Sequence, residues 1–301
     1  MKNITVLLST YNGEKFLVEQ INSLLEQNGV NITIFVRDDG STDNTKHILS
    51  EFESENILTW YEGENLGPAK SFIDLVHRSP DSDFYAYCDQ DDIWYENKLL
   101  TAITKIRKYD MNEISLYTST YDVVDVNLNF INKRDMKFDQ GLTLPQTIVG
   151  KSPSGCTMVF NKKLRDKIKE YSPENIRMHD FWTLLIAEAF HGNIIKDDTS
   201  QLMYRQHSNN TVGYGKSFFV RFVRLLKSVI YRKNERKKQV DSLYYGYKNS
   251  LPEDSLNIIK CVVNYKKSLL NRFKLIFNKK FYSSSYNRNI LFFVSVLLGL
   301  F

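Results

Sequence analysis

Cysteine is scarce in this 301-residue sequence, and the three that are present stand far apart. An odd number of widely spaced cysteines, Cys88, Cys156 and Cys261, fits neither a disulfide framework nor a zinc cluster. We therefore expect reduced thiols in a cytosolic compartment. Internal repeats and low-complexity stretches are also lacking. Because 42% of the residues are hydrophobic and 25% are charged, the composition excludes an intrinsically disordered chain.

The sequence also lacks an apolar run long enough to cross a bilayer. Its apolar end, Ile290–Phe301, has 12 residues, which is about 18 Å as a helix against the ~30 Å that a bilayer core requires. Such a segment is better suited to lying in the membrane interface. At the other end, the first strand candidate begins at Ile4, and we expect no signal peptide.

Charge is distributed unevenly along the chain. Residues 1–215 hold 22 lysines and arginines against 31 aspartates and glutamates, whereas residues 216–301 hold 18 against 4. The split indicates an acidic region suited to a metal ion and a basic region suited to an anionic surface. A solvated basic tail explains the charge alone equally well. We place a domain boundary near Gly215, where the composition changes.

Short apolar runs alternate with helical periodicity over the first hundred residues. This alternation predicts an α/β fold, in which helices cover both faces of a mostly parallel sheet. Such sheets bind ligands beyond the carboxyl ends of their strands. The predicted strands of this part are Ile4–Leu8, Ile32–Val36, Leu58–Tyr61 and Phe84–Cys88. Further elements up to residue 215 are strands Leu116–Val124, Gly155–Phe160 and Leu202–Gln206, and a helix His179–Phe190.

The densest acidic segment, Asp89-Gln90-Asp91-Asp92, directly follows the fourth predicted strand. Three carboxylates so close together repel one another unless a cation lies among them, and Mg²⁺ or Mn²⁺ prefers such oxygen ligands. A metal ion held there can bridge to a diphosphate and stabilise the charge of a leaving nucleotide. An acidic turn that begins the next helix is the alternative, because a helix dipole favours Asp at its start. On this segment alone the two interpretations are equally good.

A second acidic segment, Asp38–Asp43, follows the second predicted strand. Its Ser, Thr and Asp side chains are suited to capping the helix that begins near Asn44. A buried carboxylate at this strand end can also accept hydrogen bonds from a base or a ribose. Each acidic segment is a weak signal alone, whereas the two together, each at a strand end, indicate a binding site more specifically.

Four segments together resemble the signature series of family 2 glycosyltransferases, in the same order and spacing across roughly residues 1–215. They are Leu8–Gly13, Asp38–Asp43, Glu64–Gly67 and Asp89–Trp94. Three later segments resemble bacterial rhamnosyltransferases, which use dTDP-rhamnose to build cell-wall or surface polysaccharides. These segments are Ser154–Met158, Met178–Trp182 and Tyr204–Asn210.

The resemblance implies a GT-A fold and an inverting, metal-dependent transfer from a nucleotide-sugar donor. Asp91 is the implied ligand of Mn²⁺ or Mg²⁺, with His207 as a further ligand. Asp180 matches the family's general base, which removes the proton of the acceptor hydroxyl. By position alone, a helix-capping role explains Asp180 better, and a lone histidine such as His207 is more often structural. The implied nucleotide-sugar-binding residues are Ser9, Thr10, Tyr11, Asp38, Asp39, Asp89 and Arg205.

We therefore predict a rhamnosyltransferase that extends a lipid-diphosphate-linked saccharide at the cytoplasmic face of the membrane. A UDP-hexose-dependent enzyme of the same fold is the nearest alternative. A catalytically silent nucleotide-sugar-binding module is another, although the retention of both Asp91 and Asp180 argues against it. The processive Gln-x-x-Arg-Trp motif is lacking, which favours the addition of one or a few sugars. Trp94 and Trp182 are candidates for stacking on sugar faces, with core packing as the alternative for at least one of them.

The basic region is predicted to contact an anionic membrane surface. A helix over Phe218–Tyr231 would place Arg221, Arg224 and Lys227 on one side. A helical bundle packed on the catalytic domain, or a contact between subunits of a homo-oligomer, explains the same pattern. Nucleic-acid binding is not expected, because the basic residues lie in no recognised docking motif.

Overall fold

A nine-stranded sheet runs through the computed structural model, which describes residues 2–134, 143–150, 152–207, 234–283 and 285–301. The strands are β1 (Lys2–Thr10), β2 (Val30–Asp38), β3 (Leu58–Glu62), β4 (Phe84–Cys88), β5 (Ile93–Trp94), β6 (Ser115–Val124), β7 (Phe130–Arg134), β8 (Val159–Asn161) and β9 (Asn193–Arg205). Their order in the sheet is β3-β2-β1-β4-β8-β6-β9-β5, and β7 pairs with β6.

The strands β3, β2, β1 and β4 are parallel, as the strand–helix alternation predicts. Beyond them the sheet is mixed: β8 is antiparallel to both β4 and β6, β6 is parallel to β9, and β5 is antiparallel to β9. The α/β fold class is confirmed. The pairings Thr10↔Asp38 and Leu8↔Cys88 bring the ends of β1, β2 and β4 to one edge of the sheet.

Two of the later predicted strands differ from the structure. The segment predicted as Gly155–Phe160 begins with a 3₁₀ turn over Gly155–Thr157, where the Thr157 hydroxyl donates to the Ser154 carbonyl oxygen, and only Val159–Asn161 is a strand. The prediction at Leu202–Gln206 captures only the end of β9, whose first half carries polar residues that obscured its strand pattern.

Helices cover both faces of the sheet because β1 is apolar on both sides. The helices are α1 (Leu17–Leu25), α2 (Thr45–Ser54), α3 (Pro68–Arg78), α4 (Lys98–Ile106), α5 (Leu144–Val149), α6 (Lys162–Lys169), α7 (His179–Ala189), α8 (Glu235–Tyr247), α9 (Glu253–Asn264), α10 (Leu269–Ile276) and α11 (Tyr286–Leu297). Ile4, Val6 and Leu8 pack with α1, α2 and α4, whereas Leu7 packs with α3, α6 and α7 on the other face.

The four C-terminal helices pack into the same hydrophobic core as α7. The Tyr247 ring of α8 contacts the rings of Trp182 and Phe190, and its hydroxyl donates to the Lys167 carbonyl oxygen at 2.8 Å. From α9 to the C-terminus, apolar side chains continue this core as far as Phe301. The boundary expected near Gly215 and the predicted helix Phe218–Tyr231, with Arg221, Arg224 and Lys227, lie outside the described residues.

Two features bear on the membrane and sugar predictions. Every helix in the described ranges is too short or too polar to cross a membrane. Both tryptophans considered for sugar stacking are buried, Trp182 in the core beside α8 and Trp94 beneath the sheet edge. Core packing is therefore the role that the structure gives to both.

Candidate active site

The site lies at the carboxyl edge of β1, β2 and β4. The side chain of Gln90, between Asp89 and Asp91, connects the end of β1 to the acidic segment. The Gln90 Oε1 atom accepts hydrogen bonds from the Thr10 hydroxyl at 2.6 Å and from the Tyr11 N–H at 2.8 Å. Gly13 lies so close that an added Cβ would stand 2.4 Å from Gln90 Oε1. The sequence prediction missed Gln90, whose only signal was its place between Asp89 and Asp91.

The residues at the end of β1 differ in accessibility. Ser9 is half-buried, and its hydroxyl shares a 2.6 Å hydrogen bond with the hydroxyl of Ser71 on α3. Thr10 is buried, whereas the Tyr11 side chain is exposed. Tyr11 is therefore the member of this group best placed to contact a bound molecule.

Asp38 and Asp39 organise the loops beside this edge. Asp38 is fully buried and accepts hydrogen bonds from the Ser41 N–H at 2.8 Å and from the Ser41 hydroxyl. Asp39 forms an ion pair with the buried Arg37. Its two oxygens also accept the N–H groups of Leu66 at 2.9 Å and of Gly67 at 2.8 Å. Asp39 thus fixes the loop that leads into α3.

Arg37 was not predicted, although its position on β2 is central to this loop. Its guanidinium lies 3.1 Å from the Asp74 carboxylate and donates at 2.8 Å to the Glu64 carbonyl oxygen. A Cβ on Gly63 would stand 2.4 Å from this guanidinium. The Gly-containing segment after β3 is therefore shaped around a buried arginine.

The structure brings Asp91 and His207 into direct contact. His207 Nε2 lies 2.7 Å from Asp91 Oδ2, although the two residues are 116 positions apart. The antiparallel pairing of β5 with β9, with Ile93 opposite Met203, produces this contact by placing the end of β9 beside the acidic segment. The Phe16 ring packs on the imidazole, with 5.1 Å between centroids. A carboxylate oxygen and an imidazole nitrogen this close together can both act as ligands of one divalent cation such as Mn²⁺.

Asp89 lies deeper in the same acidic segment, in the electrostatic field of two other carboxylates. Burial and, to a smaller extent, the charges of Asp91 and Asp180 together raise the pKa of Asp89 to about 7, against the opposing charge of the Lys98 ammonium. The interaction with Asp180 is informative because α7 carries that residue. The acidic segment and the N-terminus of α7 therefore lie near each other, and they are also linked through one turn: Gly155 donates its N–H to Asp180, and the Sγ atom of Cys156 lies within 4.8 Å of a ligand atom of Asp89.

Asp180 is in the first turn of α7 and is half-buried. Burial raises its pKa to about 6, against the hydrogen bonds donated by the Phe181 and Gly155 N–H groups and the charge of Arg177. A Cβ on Gly155 would stand 2.2 Å from the buried His179 ring, so only glycine fits there. A carboxylate with a pKa near the working pH is suited to accepting a proton.

A buried lysine lies beneath the acidic segment. Lys98 is fully buried, donates to the Cys156 carbonyl oxygen at 2.5 Å, and places its ammonium 3.2 Å from the centre of the Trp94 ring. Burial lowers its pKa to about 8. This cation offsets part of the carboxylate charge above it, which the sequence prediction did not foresee.

Asp92 belongs to the interior rather than to the open site. Burial raises its pKa well above the ordinary value, and its Oδ2 has no hydrogen-bond partner in the described ranges. Donor atoms of Asp89, Asp92 and Cys156 lie within 4.8 Å of one another and form a second group that could hold a metal ion. Asp91 and His207 are both more accessible than Asp92 and Cys156.

Arg205, the last residue of β9, directs its guanidinium into the protein. It donates to the carbonyl oxygens of Asp91 at 3.1 Å and Val126 at 3.0 Å, and it forms an ion pair with Glu19. Its guanidinium also lies over the Phe16 ring. These contacts hold the backbone of the acidic segment in place.

Comparisons with known proteins agree with this geometry. The sequence model described as "Glycosyl transferase family 2" matches residues 5–168. The dTDP-rhamnosyl transferase RfbG of Shigella flexneri is 31% identical over 249 residues, covering 76% of this chain and 82% of that protein. The UDP-Glc:alpha-D-GlcNAc-diphosphoundecaprenol beta-1,3-glucosyltransferase WfgD of Escherichia coli is 27% identical over 163 residues, covering 54% of this chain and 55% of that protein.

Solved structures share the fold at low sequence identity. Residues 1–349 of S. aureus TarS in complex with UDP-GlcNAc superpose with a TM-score of 0.58 at 19% identity, covering 99% of this chain and 91% of that one. The mannosyltransferase PcManGT of Pyrobaculum calidifontis, in complex with GDP-Man and Mn²⁺, gives a TM-score of 0.56 at 16% identity, covering 99% and 80%.

The parallel sheet, with its acidic segment at the carboxyl edge, places this protein in the class of GT-A glycosyltransferases. Within that class, the chain belongs to glycosyl transferase family 2. The resemblance of its sequence segments to that family is thereby confirmed.

Proposed function

We propose that this enzyme is an inverting, metal-dependent glycosyltransferase that transfers rhamnose from dTDP-rhamnose to a lipid-diphosphate-linked saccharide at the cytoplasmic face of the membrane. The contact between Asp91 and His207, beside Asp89 and with Asp180 close enough to raise the pKa of Asp89, carries the proposal. The similarity to a dTDP-rhamnosyl transferase at 31% identity supports the donor. The acceptor class is supported by WfgD, whose name specifies a diphosphoundecaprenol-linked sugar.

In this proposal Asp91 and His207 hold Mn²⁺ or Mg²⁺, which supplies positive charge for the donor diphosphate. Tyr11, Ser9 and Asp89 line the nucleotide-sugar site, and Thr10 is fixed against it by Gln90. Asp38 and Asp39 support the site through the loops that they hold. Arg205 is buried and engaged with protein acceptors, so we assign it the positioning of Asp91 rather than direct contact with phosphate.

Asp180 is the proposed general base. Its carboxylate takes the proton from the acceptor hydroxyl as the hydroxyl oxygen bonds to the anomeric carbon, on the side opposite the departing nucleotide diphosphate. This in-line displacement inverts the anomeric configuration. The pKa of about 6 keeps the carboxylate ionised at neutral pH while leaving it basic enough to accept the proton.

A donor screen tests the proposal. Purified protein is incubated with dTDP-rhamnose, UDP-glucose, UDP-galactose or UDP-GlcNAc, a diphosphate-linked acceptor analogue, and Mn²⁺ or Mg²⁺, and release of the nucleotide diphosphate is measured. We expect the fastest release from dTDP-rhamnose and its loss in excess chelator. Faster release from a UDP-sugar would favour the hexosyl alternative. Full activity in chelator would refute the metal role, and donor binding without turnover would identify a silent binding module.

A further inference from the structure

Helices α10 and α11 expose an apolar face that none of the described residues covers. Its eight side chains are 40–67% exposed. Monomeric soluble proteins rarely expose contiguous apolar patches above about a few hundred Å², and larger ones mark interaction sites. The face consists of Leu269, Leu270, Phe273, Phe277, Ile290, Val294, Leu297 and Leu298; it is called the α10/α11 face below.

Helical spacing gathers these side chains on one side of each helix. Exposed positions recur every four residues, at 269, 273 and 277 in the first helix and at 290, 294 and 298 in the second. The opposite sides are buried in the core through Ile276 and Val296. The helices are joined by a ring contact between Phe277 and Phe293, 6.5 Å between centroids, so the two apolar stripes lie side by side.

The charges of the segment that carries this face are all of one sign. Between Ser255 and Phe301 the sequence contains eight lysines and arginines and no aspartate or glutamate. Four of these lysines are exposed on or next to the helix that carries Phe273 and Phe277: Lys267, Lys274, Lys279 and Lys280. An apolar surface with a cationic border fits a partner that combines an apolar interior with an anionic surface.

We propose that the α10/α11 face lies in the interface of an anionic lipid membrane, with its Phe and Leu side chains at the headgroup–acyl boundary and the lysines among the headgroups. The helices lie along the membrane, since neither is long enough to span it. A second copy of the chain is a poorer partner. A two-fold contact would bring the same lysines from both copies together, with no acidic residue in this segment to offset them.

This inference deepens the membrane location in the proposed function by assigning it to particular residues, and it corrects one expectation. The segment Ile290–Phe301 was predicted to lie in the membrane interface, but its side chains Phe292, Val296 and Phe301 are buried in the core. Only the solvent-facing side of this segment can contact the membrane, and α10 supplies the other half of the α10/α11 face.

The test is co-sedimentation of the full chain with vesicles of phosphatidylglycerol and phosphatidylcholine, compared with phosphatidylcholine alone. We expect binding to the anionic vesicles that weakens with salt. The double variants Phe273→Ser/Phe277→Ser and Lys279→Glu/Lys280→Glu should each weaken binding by roughly tenfold or more. The matched controls are Phe130→Ser/Ile131→Ser and Arg107→Glu/Lys108→Glu, which change exposed residues elsewhere and should bind as the wild type does.

Binding is measured without donor or acceptor, and turnover of a water-soluble acceptor is measured separately, so failure of the proposed reaction is distinguishable from failure of this inference. The inference would be overturned if the wild-type protein did not co-sediment with the anionic vesicles. Equal binding by the face variants would also overturn it and would locate the contact elsewhere in the chain. Unchanged vesicle binding with loss of a dimer in sedimentation would identify the face as a subunit interface.

Discussion

Replacing Asp180 by Asn should lower the rate of catalysis by roughly 10²–10⁴-fold while making the folded protein more stable. Burial raises the pKa of this proposed base from 3.8 to about 6. A difference of roughly two pKa units corresponds to about 3 kcal/mol by which the ionised carboxylate disfavours the folded state. Asn keeps the side-chain oxygen that accepts the Phe181 N–H, but it carries no charge.

The sign of this effect depends on pH. For an acid whose pKa is raised by folding, the penalty is absent below the ordinary pKa of 3.8, grows as the pH rises, and is complete above about 6. The free energy of unfolding of Asp180→Asn should therefore exceed that of the wild type most at pH 8. A difference of about 3 kcal/mol there corresponds to an increase on the order of 5 °C in Tm. The gain should shrink towards pH 4. The exposed Asp198→Asn provides the matched control and should change Tm little at either pH.

The catalytic half of the prediction uses single-turnover release of the nucleotide diphosphate at saturating donor. Loss of a general base lowers the rate by roughly 10²–10⁴-fold. The wild-type rate should fall about tenfold per pH unit below pH 6, because the protonated acid cannot accept a proton. Near-normal turnover in Asp180→Asn, or collapse of donor affinity at a normal saturated rate, would refute the base assignment. An unchanged Tm at pH 8 would refute the energetic argument.

Two further changes test how the site is held together. Asp91→Asn and His207→Ala should each lower the affinity of the enzyme for Mn²⁺. Loss of a residue that only supports a metal ligand lowers the affinity by roughly 10–100-fold, and loss of a ligand itself should lower it further. If titration calorimetry gave the same Mn²⁺ affinity as for the wild type, their role as ligands would be contradicted. Gly13→Ala should displace Gln90 from Thr10, because the new Cβ would stand 2.4 Å from Gln90 Oε1. We expect a higher KM for the donor with an almost unchanged Tm. An unchanged KM would show that the hydrogen bond between Thr10 and Gln90 does not shape the donor site.

The parallel half of the fold could be predicted because short stretches of the sequence indicate each of its strands. The apolar run Phe84–Cys88 is buried over its whole length, and the acidic segment follows its end directly. The acidic segment was identifiable in the same way, whereas the role of Asp180 as base was predicted only through the resemblance to the family. The contact of His207 with Asp91 depends on how β9 pairs with β5, and the sequence suggested a shared metal ion without indicating that geometry.

What escaped prediction depends on contacts between distant residues. An arginine near a phosphate site suggests an anion contact, but Arg205 is paired with Glu19, which is 186 positions away. The buried Lys98 gave no signal because lysines are ordinarily exposed. The core position of Trp182 depends on Tyr247, which belongs to a region whose composition suggested a separate tail.

The contact between Trp182 and Tyr247 limits how enzymes of this kind can be recombined. Asp180 and Trp182 stand on the same short helix, so one side of that helix carries the proposed base while another is covered by α8. Chimeras that exchange everything after residue 215 between relatives would therefore also replace the residues that pack behind the proposed base. Swaps designed to move only acceptor preference need to carry α7 and α8 together.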